Sequence, residues 1–182
     1  MSWSSRSSFR SIEVVEGPKL APTVGFAVLA VFLQTAFANL MTFRGTVPSF
    51  VTIAVVLYAA KVGARRGALF GIIAGVLEDC FAGTGGAWTI ATTLTALAVG
   101  GISRTFFSDG VAMLGALVAI AIVLRDAIFW IVMSIGGYPR GFALVHVHTA
   151  LWQAAITGAC AMIYLLVRPR FITDRTTVER YP

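Results

Sequence analysis

The sequence predicts an all-α integral membrane protein, a six-helix transmembrane bundle with both termini cytoplasmic. The first observation behind this is composition: of 182 residues, 58% are hydrophobic and 12% charged, and the mean hydropathy is +0.86. A soluble domain carries roughly a quarter charged residues, so the bilayer is the expected solvent. The second is the presence of six apolar segments separated by turn residues or charges. The third is the placement of Lys and Arg. With the N-terminus inside, the inner segments hold Arg6, Arg10, Lys19, Lys61, Arg65, Arg66, Arg104, Arg168, Arg170, Arg175 and Arg180, whereas the outer loops hold only Arg44 and Arg140. Basic residues collect on the cytoplasmic side of membrane proteins, which sets the orientation.

Residues 1–20 form a tail rich in Ser and charge, read as cytoplasmic and either disordered or a short surface helix around Ile12–Val15. Residues 21–168 form the membrane domain, and 169–182 a second cytoplasmic tail. The first segment is Ala21–Met41. The second, Ser49–Val62, follows Pro48, a favourable first-turn residue; it is short, so a partly re-entrant helix is one reading. The third, Gly67–Phe81, leads through the glycine-rich turn Gly83–Gly86 into the fourth, Ala87–Ile102. The fifth, Val111–Ile135, stops at Gly136, Gly137 and Pro139, and the sixth, Phe142–Val167, stops at Arg168-Pro169-Arg170.

The third segment and its turn, GALFGIIAGVLEDCFAGTGG, are read as the stretch that organises the chain. Gly67, Gly71 and Gly75 recur every four residues, followed by Asp79 and Gly83. A helix presents such a spacing as one ridge, and small residues on it admit a second helix at close range. The ridge fits either another helix of this chain or a membrane-anchored partner protein.

Helix rise places several polar residues at one depth. Asp79, Arg125 and Gln34 fall about 20 Å above the cytoplasmic ends of their segments, and His146 and His148 about 21–24 Å. Glu78 and Asp126 adjoin two of them. A charge at that depth needs a partner, so Arg125 is expected to pair with Asp79 or Glu78. Two readings of the layer stand: a polar site for binding or coupling, and a structural network that fixes helix register. The two histidines lie on different faces of one helix and make no metal pair. The threonines at 89, 92, 93 and 95 are expected to bond back to their own helix carbonyls. Cys80 and Cys160 read as small buried side chains.

Other functions find little support. The net charge of +6 lies at the ends of apolar runs, which argues against nucleic-acid binding. No metal-ligand spacing occurs, and no cofactor is implied. No GxSxG is present, Ser103 and Ser134 have no evident base, and Glu78 and Asp79 project about 100° apart. The expectation is a protein without catalytic residues.

Pro48, the basic pair Arg65-Arg66, and then Gly71, Gly75, Asp79 and Gly83 resemble the rod shape-determining protein MreD family of the bacterial cytoplasmic (inner) membrane, with its G-x3-G-x3-D-x3-G pattern. Leu124-Arg125-Asp126 followed by Phe129-Trp130 is similar to that family's fifth span, although Arg125 lies outside its pattern. The resemblance implies a multi-pass, non-catalytic subunit of the cell-wall elongation complex. Its partners would be an MreC-like protein, RodA, the elongation transpeptidase and MreB, besides the lipid bilayer. The family is similar in fold to the S components of energy-coupling-factor transporters, which supplies an alternative: a substrate-binding subunit for a vitamin-type molecule. The short outer loops Thr42–Val47 and Gly83–Gly86 leave little to close over such a ligand and favour a protein partner.

Overall fold

The computed structural model describes residues 20–38, 42, 45–106 and 110–167; both tails (Leu20 excepted) and Arg44 lie outside the described residues. Six helices and no strand occur among these residues: α1 (Leu20–Ala38), α2 (Phe50–Val62), α3 (Ala64–Ala82), α4 (Ala87–Phe106), α5 (Val111–Ile135) and α6 (Ala143–Val167), the last preceded by a 3-10 turn at Arg140–Phe142. The fifth element has the bounds the sequence predicts. The third starts earlier, so Arg65 and Arg66 occupy its first turn rather than a loop.

What joins α2 to α3 is the single residue Gly63. Its φ of 89° is closed to other L-residues, its N–H donates to the Ala59 carbonyl at 2.8 Å, and its own carbonyl receives the Gly67 N–H at 2.9 Å. Gly100 of α4 backs directly onto this corner, where a Cβ would lie 2.6 Å from the Ala64 nitrogen.

The centre of the bundle is α2, not the glycine-bearing α3. It touches each of the other five helices, and Val51, Thr52, Ile53, Ala54, Val55, Val56, Leu57, Ala59 and Ala60 are buried along its 13 residues. A helix apolar on all sides belongs in the interior, and α2 is such a helix. The others wrap it, with α3 pressed on α4 and α5 on α6.

The outer surface of this wrap is hydrocarbon. Leu29 and Phe32 of α1, Leu69 and Val76 of α3, Leu94 and Leu97 of α4, Ile120 and Ile131 of α5, and Leu144, Leu151 and Leu166 of α6 are all exposed. The α5 and α6 helices, 25 residues each, are long and apolar enough to cross a membrane, rising about 37 Å against a hydrocarbon core of about 30 Å. Cys80 is exposed and Cys160 half-buried, so neither is the fully buried thiol the sequence suggested.

Candidate functional site

At the end of the bundle away from Lys61, Arg65 and Arg66, the chain enters α2 through buried, non-helical backbone at Pro48 and Ser49. Irregular backbone at such depth needs partners for its peptide groups. Side chains from the two flanking helices supply them. Gln34 of α1 accepts the Val51 N–H at 3.2 Å, Thr157 of α6 accepts the Ser49 N–H at 3.0 Å, and Gln153 of α6 donates to the Val47 carbonyl at 3.0 Å. The Ser49 hydroxyl caps α2 by accepting the Thr52 N–H at 3.3 Å.

Arg125 of α5 reaches into the same place. One terminal nitrogen donates to the Ser49 hydroxyl at 3.1 Å and also to the Thr52 hydroxyl. The other makes an ion pair with Glu78 of α3 at 2.8 Å, both side chains being over nine-tenths buried. Thr92 of α4 donates to the second Glu78 oxygen at 3.2 Å. Trp88 lies over the guanidinium, 4.3 Å from its carbon to the ring centroid, and is itself stacked on Phe129 at 3.9 Å. One cluster thus joins α2, α3, α4 and α5. It opens on a cleft of about 250 Å³ lined by Gln34, Thr35, Glu78, Trp88, Arg125 and Gln153. The Arg125 Nε is buried without a hydrogen-bond partner. The hydroxyls of Ser49 and Thr52 face a guanidinium, which has no lone pair to take a proton, and the Glu78 carboxylate is shared between Arg125 and the Thr92 hydroxyl.

Of the two acids expected as partners of Arg125, Asp79 is not one. It turns instead to the start of α4. Its carboxylate accepts the N–H groups of Trp88 at 3.1 Å and Thr89 at 2.8 Å, the Thr89 hydroxyl at 2.6 Å and the Thr84 hydroxyl. The residue before α4 is Gly86, which has no side chain with which to cap the helix. Asp79 provides that cap from the preceding helix and meets the positive end of the α4 dipole. Asp79→Ala is expected to cost about 1–2 kcal/mol, read as a lower thermal midpoint in detergent, and Asp79→Asn less, since it keeps one carbonyl acceptor.

The ridge residues Gly67, Gly71 and Gly75 are buried inside the chain. A Cβ at Gly67 would lie 2.7 Å from that of Ala59, one at Gly71 3.0 Å from the Thr92 carbonyl, and one at Gly75 2.5 Å from the Thr89 Cα. The ridge therefore meets α2 and α4, and an external partner has no access to it. Gly83 is not a packing contact: its φ of 65° ends α3, with its N–H on the Asp79 carbonyl, and nothing stands within 4 Å of its missing Cβ.

The remaining residues of the expected layer stand apart from the Arg125 cluster. His146 lies against Trp130, with centroids 4.6 Å apart. His148 accepts from the Trp152 indole at 3.1 Å on an exposed face. Asp126 lines a separate hollow of about 230 Å³ between α5 and α6, together with Trp130 and His146. The threonines do not bond back as expected: Thr89 and Thr92 serve the two carboxylates, while the Thr93 and Thr95 hydroxyls are buried without partners. Ser49, Thr52, Gln153 and Thr157 were not among the expected site residues. The last two sit four apart in an apolar helix, a spacing that puts them on one face and was available as a signal. Compared with models of protein families, with curated proteins and with solved structures, the chain has no match.

Proposed function

We propose that the chain is a six-span protein of the bacterial cytoplasmic membrane with both termini inside. In this reading it is a non-catalytic subunit of the cell-wall elongation complex, docking an MreC-like protein and through it RodA, the elongation transpeptidase and MreB. The membrane reading is supported by the apolar girdle on every helix except α2, which is wider than a soluble protein exposes. The observation that carries the family reading is that each residue of the G-x3-G-x3-D-x3-G resemblance has a structural part in the α3–α4 hairpin. Two glycines admit α4, the aspartate caps it and the last glycine ends α3. With the ridge enclosed, we assign the partner to the cleft over Arg125 and Glu78.

The vitamin-type transport reading keeps one observation in its favour, the same cleft of about 250 Å³ with a buried arginine and an aromatic wall. Co-purification separates the two. A tagged chain co-expressed with an MreC-like protein is expected to retain that protein through size exclusion. A chain that retains none, and instead binds a vitamin at micromolar affinity, favours the transport reading. For topology, cysteines replacing Arg44 and Arg140, in a background without Cys80 and Cys160, are expected to react with an impermeant thiol reagent on intact cells. Reaction at Arg66 or Arg170 positions instead would invert the orientation.

A further inference from the structure

A long groove runs along the outside of α2, walled by α1 on one side and α6 on the other, which barely touch each other. It encloses about 370 Å³. Its floor is Phe50, Ile53, Ala54, Leu57, Tyr58 and Lys61, one continuous stripe of α2. Over eleven helical steps this is about 17 Å long, a narrow apolar slot along most of that length that suits one acyl chain.

The groove is polar at one end only. Lys61, in the last turn of α2, and the phenols of Tyr58 and Tyr164 lie toward the ends of their helices at Val62 and Val167; the rest is lined by Phe26, Leu29, Leu33 and their neighbours. Tyr58 is held by the Phe70 ring at 4.6 Å, which in turn stacks on Phe26 at 6.0 Å. Arg65 and Arg66 stand at the same end, just past the Gly63 corner. One cation and two hydroxyls at the mouth of a hydrocarbon slot match a phosphate-bearing head and an acyl chain. Basic pockets between helices at the cytoplasmic level are known to take anionic headgroups.

We propose that this groove is a specific site for one anionic phospholipid, its acyl chain along α2 and its headgroup at Lys61, Tyr58 and Tyr164. The proposal rests on the membrane reading above. Its test is a titration of the full chain, purified in non-ionic detergent, with dioleoyl phosphatidylglycerol or dioleoyl phosphatidylcholine, read by native mass spectrometry and by the shift in thermal midpoint. Phosphatidylglycerol is expected to bind more tightly, and Lys61→Gln to reduce that preference roughly fivefold while leaving phosphatidylcholine binding in place. Cys160→Phe, or Leu33→Phe should the first not fold, is expected to weaken both lipids by filling the slot. Equal binding of the two lipids by the unaltered chain, or an unchanged preference in Lys61→Gln, would overturn the proposal. So would a stabilisation reproduced by soluble glycerol phosphate, which has a head and no chain. A detergent-stable dimer dispersed by Cys160→Phe, without lipid preference, would assign the groove to a second copy. Inverted thiol labelling fails the topology yet leaves the lipid preference measurable, and loss of the preference leaves the topology standing.

Discussion

Arg125→Leu is expected to destabilise the fold by about 3–5 kcal/mol, the usual result of removing one member of a buried ion pair and leaving the other charge alone. Glu78→Leu should do the same, because the two side chains are 4% and 7% exposed and meet at 2.8 Å. The double replacement should cost less than the sum, with a coupling of about 0.5–3 kcal/mol. Arg125 also donates to Ser49 and Thr52, so the double variant still loses the clasp on the entry to α2 and does not return to the unaltered stability. Asp79→Leu combined with Arg125→Leu should be much closer to additive, since Asp79 serves α4 instead and the two share only Trp88. Thermal midpoints of these variants in one detergent decide it. Coupling to Asp79 and none to Glu78 would contradict the pairing of Arg125 with Glu78.

Depth along α1, α3 and α5 was legible in the sequence; that along α6 was not, nor was azimuth. Rise per residue put Gln34, Glu78, Asp79 and Arg125 near one level, and three of these four do join the cluster at the start of α2. His146 and His148 do not share that level, because the α6 residues that meet the cluster are Gln153 and Thr157, five to eleven residues farther along and about 7–16 Å away by helix rise. The side of α6 that packs inward carries Ala150, Ala154, Thr157, Gly158, Ala161 and Leu165. His148 is two residues from Ala150, about 200° round the helix, and so faces outward. The choice between Glu78 and Asp79 was open for the same reason. It is settled by the rotation of α3, which the glycine contacts with α4 impose.

The helices themselves were readable because long apolar runs end at glycine, proline or charge, as at Gly110 and Gly136 around α5. The central place of α2 was hidden by its shortness. About 20 Å of helix gives no sign of a central element, and Gln34, Gln153 and Thr157 complete the backbone pairing around its start. Those three are ordinary polar side chains scattered over two other helices, and only the fold brings them to one strip of backbone. The Gly115–Gly158 contact between α5 and α6 was missed too, since neither glycine belongs to a spaced series.

Gly75→Leu is expected to remove the protein from the membrane fraction, and even Gly75→Ala to cost about 1–3 kcal/mol, as overpacking of a filled interior does. A methyl at this position would sit 2.5 Å from the Thr89 Cα and 3.0 Å from the Thr89 nitrogen and the Trp88 carbonyl oxygen. All three are backbone atoms of α4, so no side chain can turn aside and the helices must separate. That separation also pulls the Asp79 carboxylate away from the N–H groups it caps, and the two losses fall on the same contact. Neighbouring glycines give an internal standard. At Gly100 a Cβ would meet the Ala64 nitrogen at 2.6 Å, whereas at Gly101 nothing lies within 4 Å. Gly100→Ala should therefore destabilise strongly. Gly101→Ala should be neutral or stabilise by about 0.5–1 kcal/mol through helix propensity. Fluorescence-detected size exclusion of the four variants after identical expression measures the outcome. A Gly75→Leu protein that accumulates, stays monodisperse and loses only its partners would mean that α3 meets another protein there and not α4.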